Sequence, residues 1–500
     1  MFFDGDNREA PRFRSKNRYT KGLRAEPQLP MKILFVHQNF PGQYLHIAQH
    51  LAALRDNQVV CISQRPDGNL AGVKKIVYKP KRAPSPHTHH YIRDTEAGVL
   101  NAQQVARAAL SLRDSGFVPD VMLGHNGWGE IWYLKDVFPK TPLMGYFEFF
   151  YRTQGADIDF EPAVAAKFDT APRIRTKNLG NYLGLETADL GQCPTRWQQS
   201  LYPERYHSML RVVHEGIDTR AVTPNPNARL RLPESDRELS AGDEVLTFVA
   251  RNLEPYRGFV SFMRSLPLIL ARRPDAQVLV IGGDDVSYGA RLPPGNTYKQ
   301  QVLGELGDSL DLSRVHFLGK LPYQTFLTVL QISRAHVYLT YPFVLSWSML
   351  EAMSAGCLVI GSRTPPVEEV LRHQENGLLV DFFDTAAIAN TAIDALANPG
   401  AYRVQRQRAR RTIIDNYDLR TLALPAQLKL LREAIEHTGP YLWKPARMAA
   451  APGAARIDAS PSPGHSIIVP RAPSSPKANQ MSSENGPGFD SPSKPRRASP

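Results

Sequence analysis

Arg251 and Arg257 stand six positions apart around a strand-to-helix turn that closes at Gly258. A guanidinium fork matches the paired oxygens of a phosphate, and the free N–H groups at a helix start add to its pull on an anion. The pair therefore suits a diphosphate leaving group, whose charge grows as its bond breaks. The rival reading makes them surface residues paired with acids such as Glu254. Glu351 lies near the start of an apolar segment that runs into Gly356, with Leu350, Ala352 and Met353 beside it. A carboxylate there can accept from both hydroxyls of a ribose, or else it serves a helix dipole on a solvent face. Earlier in the chain, Glu148 follows the apolar run Leu143 to Phe147, and His125 ends the run before that. Either can accept a proton, and Glu148 can also steady positive charge on a reacting carbon. Its apolar neighbours Phe149 and Phe150 lead us to expect a raised pKa. The plainer alternatives are a buried ion pair for Glu148 and a satisfied core histidine for His125.

Other chemistry is disfavoured. His87-Thr88-His89-His90 lies in a Pro-rich stretch without a carboxylate or cysteine at ligand spacing, so no metal is expected. Asn39-Phe40-Pro41-Gly42-Gln43 is a turn with a single glycine rather than a dinucleotide fingerprint, and no bound cofactor is expected. No Ser-His-Asp or Cys-His arrangement stands out.

These residues need strands and helices to hold them. Lys32 to His37, Gln58 to Ser63, Val121 to His125 and Pro142 to Phe147 read as buried strands, with helical spacing over Gln43–Leu54 and Thr95–Arg113. The same grammar restarts at Val245–Ala250, followed by a helix over Gly258–Arg272 and a strand over Gln277–Gly283. Further strands are expected at 315–319, 336–341 and 357–361. Apolar strands alternating with helices imply parallel sheets covered on both faces. We expect a first Rossmann-like domain at 31–212, a linker at 213–243, a second domain at 244–400 and helices over 401–440 packing back across the junction.

Arg251-Asn252-Leu253-Glu254-Pro255-Tyr256-Arg257-Gly258 resembles the "Gly-Arg-Leu…Lys-Gly" segment of glycosyltransferase family 4. Ser348 to Gly356 resembles that family's "Leu-Leu-Glu-Ala-Met-Ala-Cys-Gly". Glu369 with Asn376-Gly377-Leu378-Leu379-Val380 is similar to its "Pro-Glu…Asn-Gly-Leu-Leu-Val", and His214 to Asp218 to its "Asn-Gly-Val-Asp". The phrases His125 to Glu130 and Phe147 to Tyr151 are similar to a bacterial branch. The resemblance implies an α/β protein of the GT-B fold, two doubly wound Rossmann-like domains facing a central cleft. It implies retaining transfer from a nucleotide-sugar donor to a glycan or lipid-linked acceptor. It places Glu351, Glu369, Arg251, Arg257, Gly282 and Ser346 on the donor and His37, Gly42, His89, Trp128 and Glu130 on the acceptor. Glu148, His125 and the two arginines take the catalytic roles. Two departures stand out. Phe343 occupies the first carboxylate position of the family's Glu-x(7)-Glu motif, and Glu148 stands where the family's active-site histidine is usual. Rivals on the same fold are a nucleotide-sugar epimerase or hydrolase, and a glycan-binding scaffold without catalysis.

Composition sets the outer limits. With 42% hydrophobic and 22% charged residues the chain reads as soluble and globular, with no run long enough to span a membrane and no secretory signal. Three scattered cysteines fit a reducing cytoplasm. Of the net charge of +12, residues 1–30 carry +3 and residues 445–500 carry +4. These ends are poor in apolar residues and are expected to be disordered. So little basic charge on the folded body argues against nucleic acid, and the tails suit at most a weak peripheral attraction to the inner face of the plasma membrane.

Overall fold

The computed structural model describes residues 30–161, 168–233 and 237–436. The terminal extensions expected to be disordered lie outside the described residues, apart from Pro30.

The first sheet holds seven parallel strands: β1 (Lys32–Val36), β2 (Gln58–Ser63), β3 (Val73–Val77), β4 (Val121–His125), β5 (Leu143–Tyr146), β6 (Leu190–Cys193) and β7 (Leu210–Val212). Their order is β3-β2-β1-β4-β5-β6-β7. Its central strands β1, β2, β4 and β5 are largely apolar because both faces are covered. Ile33 and Phe35 of β1 join one core with Val59, Cys61, Val121 and Leu123, under helix Leu45–Ala53 and the final helix Leu424–Glu436. Leu34 and Val36 point the other way and join Val60, Ile62 and Met122 under helix Arg93–Asp114. This alternation is the two-residue period of a strand.

The second sheet has six parallel strands: β10 (Val245–Asn252), β11 (Gln277–Gly283), β12 (Val315–Gly319), β13 (Ala335–Tyr338), β14 (Leu358–Ser362) and β15 (Leu378–Val380), ordered β12-β11-β10-β13-β14-β15. Helices Phe259–Arg272 and Thr385–Ala397 cover the face carrying Leu246, Phe248 and Val280. Helices Tyr323–Ile332, Trp347–Ala355 and Arg403–Tyr417 cover the face carrying Val245, Val249 and Leu279.

Four strands, β3, β6, β7 and β15, go beyond the strand pattern read from the sequence. β3 reads Val-Lys-Lys-Ile-Val at a sheet edge and β6 reads Leu-Gly-Gln-Cys, so neither shows the apolar run of a central strand. The stretch read as linker holds a hairpin, β8 (Arg229–Arg231) with β9 (Glu238–Ser240), in which Leu239 of β9 and Leu232 just after β8 are buried. Helix Arg403–Tyr417 rests on helix Trp347–Ala355 of the second sheet, and helix Leu424–Glu436 returns to the first.

Strand order reverses beside β1 in the first sheet and beside β10 in the second. The carboxyl ends at these switch points form the ligand-binding crevices of doubly wound sheets. They are where His37 and His125, and Arg251 and Arg257, leave their strands.

Candidate active site

In the first half, two strand-end histidines present the same edge. The Nδ1 of His37 accepts the backbone N–H of Asn39 at 2.9 Å, and that of His125 accepts Gly127 N–H at 2.9 Å. Each Nε2 is thereby left to carry the proton. His37 Nε2 lies 2.8 Å from Gln43 Oε1, and the Gln43 amide donates to Glu148 Oε1 at 3.1 Å. His125 Nε2 has no hydrogen-bond partner and faces Glu148 Oε2 at 3.7 Å. Trp128 stacks on His125 from one side at 4.5 Å and Tyr146 from the other at 5.1 Å. Both imidazoles are buried, whereas the Glu148 side chain is 32% exposed. Glu148 is thus the group that meets solvent, with His125 and Gln43 behind it.

The electrostatics reverse one expectation. Burial pushes the Glu148 pKa up, but the interactions with His125, joined by His37, together outweigh it, and the carboxyl ends below its ordinary value. At 3.7 Å this contact is longer than an ordinary hydrogen bond, and the His125 Nε2–H aimed at the carboxylate favours its charged form. Burial, with help from His125, takes the His37 pKa down to about 3, so that ring is neutral.

In the second half, Arg257 closes a short 3-10 turn and Gly258 follows at φ 72°, where a Cβ would strike Leu339 at 2.2 Å. The Arg257 guanidinium donates to Thr340 Oγ1 at 2.9 Å and to the Val344 carbonyl at 2.8 Å, with the Tyr338 hydroxyl at 3.4 Å. It therefore braces the loop leading into helix Trp347–Ala355. Ser346 caps that helix and donates its own N–H to Tyr338 at 2.8 Å. Tyr288 and Phe343 lie over the guanidinium at 5.1 and 5.7 Å, and Arg257 is 6% exposed. Arg251, by contrast, is exposed at the end of β10. The suggested pairing of these arginines with Glu254 does not form. Glu254 is fully buried and accepts the backbone N–H groups of Ser287, Tyr288 and Gly289 at 2.8–3.0 Å, pinning the loop after β11.

Phe343, in place of a carboxylate, packs against Phe149 of the first half at 4.6 Å. Beside it the Tyr256 hydroxyl donates to Asp157 at 2.7 Å and that of Tyr341 to Glu161 at 3.1 Å. The segment after β5 thus reaches across to the second half and continues from Glu148.

The expected residues divide accordingly. Glu148, His125, His37 and Trp128 come together; Gly42 adjoins them, since a Cβ there would lie 2.4 Å from the His37 ring. Arg257 and Ser346 come together. Glu351 is buried on the same helix as Ser346 and accepts from the Tyr323 hydroxyl at 2.8 Å. Gly282 is required by packing, because a Cβ would meet Leu253 at 2.8 Å and the Ala250 carbonyl at 2.9 Å. One placement needs correction, and two other residues take partners the sequence did not show. Glu130 is fully buried and bonded to the Tyr78 hydroxyl at 2.8 Å, so it is not on an acceptor surface. Glu369 accepts the backbone N–H groups of Arg196 and Trp197 at 2.9 and 2.8 Å, spanning from the second half to helix Arg196–Ser200 of the first. His89 is exposed, stacks with His90 and meets Tyr91 edge-on. The sequence reading missed Gln43, Tyr146, Tyr288 and Glu254. Only Gln43 carried a local sign, its place at the Gly42 turn.

Two parallel-sheet domains with reversed strand order at facing sites define a GT-B protein. Solved structures agree: sucrose-phosphate synthase from Thermosynechococcus elongatus has a TM-score of 0.59 at 18% identity, covering 81% of this chain and 99% of that one. Anabaena HepE, solved with UDP and glucose, has a TM-score of 0.55 at 15% identity, covering 80% and 99%. Residues 55–222 match the glycosyl transferase family 4 group and residues 233–412 match glycosyl transferases group 1. The chain belongs to the family 4 glycosyltransferases. Among curated relatives, the GDP-mannose-dependent alpha-(1-6)-phosphatidylinositol monomannoside mannosyltransferase of Mycolicibacterium smegmatis is 24% identical over 256 residues, 50% of this chain and 62% of its own length. The D-inositol 3-phosphate glycosyltransferase of Corynebacterium efficiens is 24% identical over 46% of this chain and 47% of its own length. These matches span less than two thirds of either relative.

Proposed function

We propose that this protein is a retaining, metal-independent glycosyltransferase. It moves a sugar from a nucleotide-diphosphate sugar to a glycan or lipid-linked glycan acceptor in polysaccharide assembly, at the cytoplasmic side of the membrane. The observation that supports this best is the complementarity of the two strand-end clusters. One presents an ionised carboxylate backed by two histidines, and the other presents a buried arginine beside a capped helix start.

In this reading the second domain takes the donor. Arg257 and Arg251 stabilise the diphosphate as the glycosidic bond breaks, which lowers the barrier because the charge is larger in the transition state than before it. Glu351 takes the ribose. The first domain takes the acceptor, and Glu148 receives its hydroxyl proton or steadies positive charge at the anomeric carbon. Tyr288 and Phe343 lie over the Arg257 guanidinium, so in this reading donor binding is expected to rearrange the seam. The named relatives use GDP-mannose or inositol-based substrates, which makes an inositol- or lipid-linked acceptor the first to try.

Thermal-shift measurements with UDP-, GDP-, ADP- and dTDP-sugars test the donor half, since a ligand bound to the native state raises Tm. We expect one nucleotide class to raise Tm, followed by sugar transfer to a glycan or lipid acceptor that persists in EDTA. Donor consumed equally with and without acceptor would favour a hydrolase or epimerase. No response to any nucleotide would favour a glycan-binding scaffold, the reading that the covered Arg257 supports.

A further inference from the structure

Glu215 is a buried carboxylate that none of the chemistry above uses. It is 3% exposed, and among the described residues its partners are Tyr146, Trp347 and His214. Burying a carboxylate away from water is costly unless hydrogen bonds satisfy it, so each of its contacts carries weight. Oε1 accepts the Tyr146 hydroxyl. Oε2 accepts the Trp347 indole N–H at 3.0 Å, with His214 Nε2 at 3.7 Å.

Those two donors belong to opposite half-sites. Tyr146 ends β5, two residues before Glu148, and its ring stacks on His125 at 5.1 Å. Trp347 is the first residue of the helix capped by Ser346, and Ser346 and Arg257 share the Tyr338 hydroxyl. The backbone beside Glu215 cannot drift with either half. Gly216 has φ 89°, and a Cβ there would meet Ala423 at 2.6 Å. Ile217 exchanges hydrogen bonds with the chain crossing at the end of helix Arg403–Tyr417, its N–H to Tyr417 O at 2.8 Å and its carbonyl from Leu419 N at 2.9 Å. Glu215 therefore projects from the crossover between domains, one oxygen committed to each side.

We infer that Glu215 is a positioning residue that couples the two half-sites. Its carboxylate ties the acceptor-side strand end at Tyr146 to the first turn of the donor-side helix at Trp347. The inference rests on the reading that this helix start and Arg257 receive the nucleotide. A nucleotide that orders Trp347 then sets Tyr146, and through it the ring behind Glu148; the coupling is reciprocal by linkage.

The test is a binding cycle on the full chain, titrating UDP and GDP calorimetrically and recording Tm for each variant. Tyr146→Phe removes one hydroxyl on the acceptor side and touches none of the donor residues. It should nonetheless weaken nucleotide binding about fivefold, the lower end of coupling between sites. In a Glu215→Gln background the same substitution should change binding less than twofold, because a glutamine amide cannot accept from both donors. A residue that only stabilises the fold would lower Tm and leave the nucleotide Kd alone. Should Glu215→Gln fail to fold, a Tyr146→Phe and Trp347→Phe cycle asks the same question, and non-additive binding is expected. Wild-type binding that Tyr146→Phe leaves unchanged, or effects that simply multiply, overturns the coupling alone. Failure of the wild type to bind either nucleotide overturns the donor-site reading and the coupling with it.

Discussion

Glu148 has its character set by the groups around it. Gln43 donates to one oxygen and His125 faces the other, so the carboxylate is held in place and held charged. If it serves the reaction, Glu148→Gln should lower kcat on the order of a hundredfold and leave nucleotide affinity nearly unchanged, with only a small loss of Tm. Full activity with a lowered Tm would instead make it a structural partner and pass the role to His125. The depressed pKa has a signed consequence. Its contribution to stability is present above the unfolded carboxylate value and is lost as pH falls through the lower folded value. The acid limb of the kcat profile should therefore lie below the usual carboxylate range, and Glu148→Gln should remove it. A limb near neutral pH would contradict this electrostatic account.

At the scale of elements, the turn after β4 is sorted by depth. Trp128 reaches partly to the surface over His125, whereas Glu130 two residues on is sealed against Tyr78, with its Oε2 buried and without a hydrogen-bond partner. Burial raises the Glu130 pKa to about 7, despite the Tyr78 hydrogen bond. Here the sign is opposite to that of Glu148. Between the unfolded carboxylate value and about 7 the unfolded chain ionises first, so stability falls as pH rises through that window. A shift of this size corresponds to on the order of 3 kcal/mol. Glu130→Gln should flatten Tm between pH 5 and pH 7.5, as thermal melts across that range can show. An unchanged slope would mean that another group carries it.

Across the whole molecule, closure depends on contacts that each join the two halves. Phe343 meets Phe149, Tyr256 meets Asp157, and Glu369 takes two N–H groups at the start of helix Arg196–Ser200. The last is a cap supplied from the other domain. Glu369→Ala should cost about 1 kcal/mol, the usual scale for losing a capping oxygen. It should also enlarge the particle measured by small-angle scattering and leave nucleotide affinity within about twofold. A large loss of nucleotide affinity with unchanged dimensions would return Glu369 to the donor site.

Local patterns in the chain were enough for the double α/β architecture. β1, β4 and β10 carry runs of buried, mostly apolar side chains over Ile33–Val36, Val121–Leu123 and Val245–Ala250, and that pattern is visible residue by residue. The turn into Gly258 and the helix ending at Gly356 were legible for the same reason, since positive φ angles of 72° and 85° favour glycine there. Hence Arg257 and Glu148 could be singled out from their neighbours alone, whereas Ser346 came from the family resemblance. What each contacts was decided by tertiary structure. Glu369 meets an amide 173 positions away, and Glu215 joins partners 69 and 132 positions away. Glu254, two residues before the Tyr256-Arg257 pair, turned to backbone amides more than thirty positions on. A carboxylate reads the same in a sequence whether it caps a helix, pins a loop or takes a proton. Its role follows from the donors that packing brings to it and from how much water is left beside it.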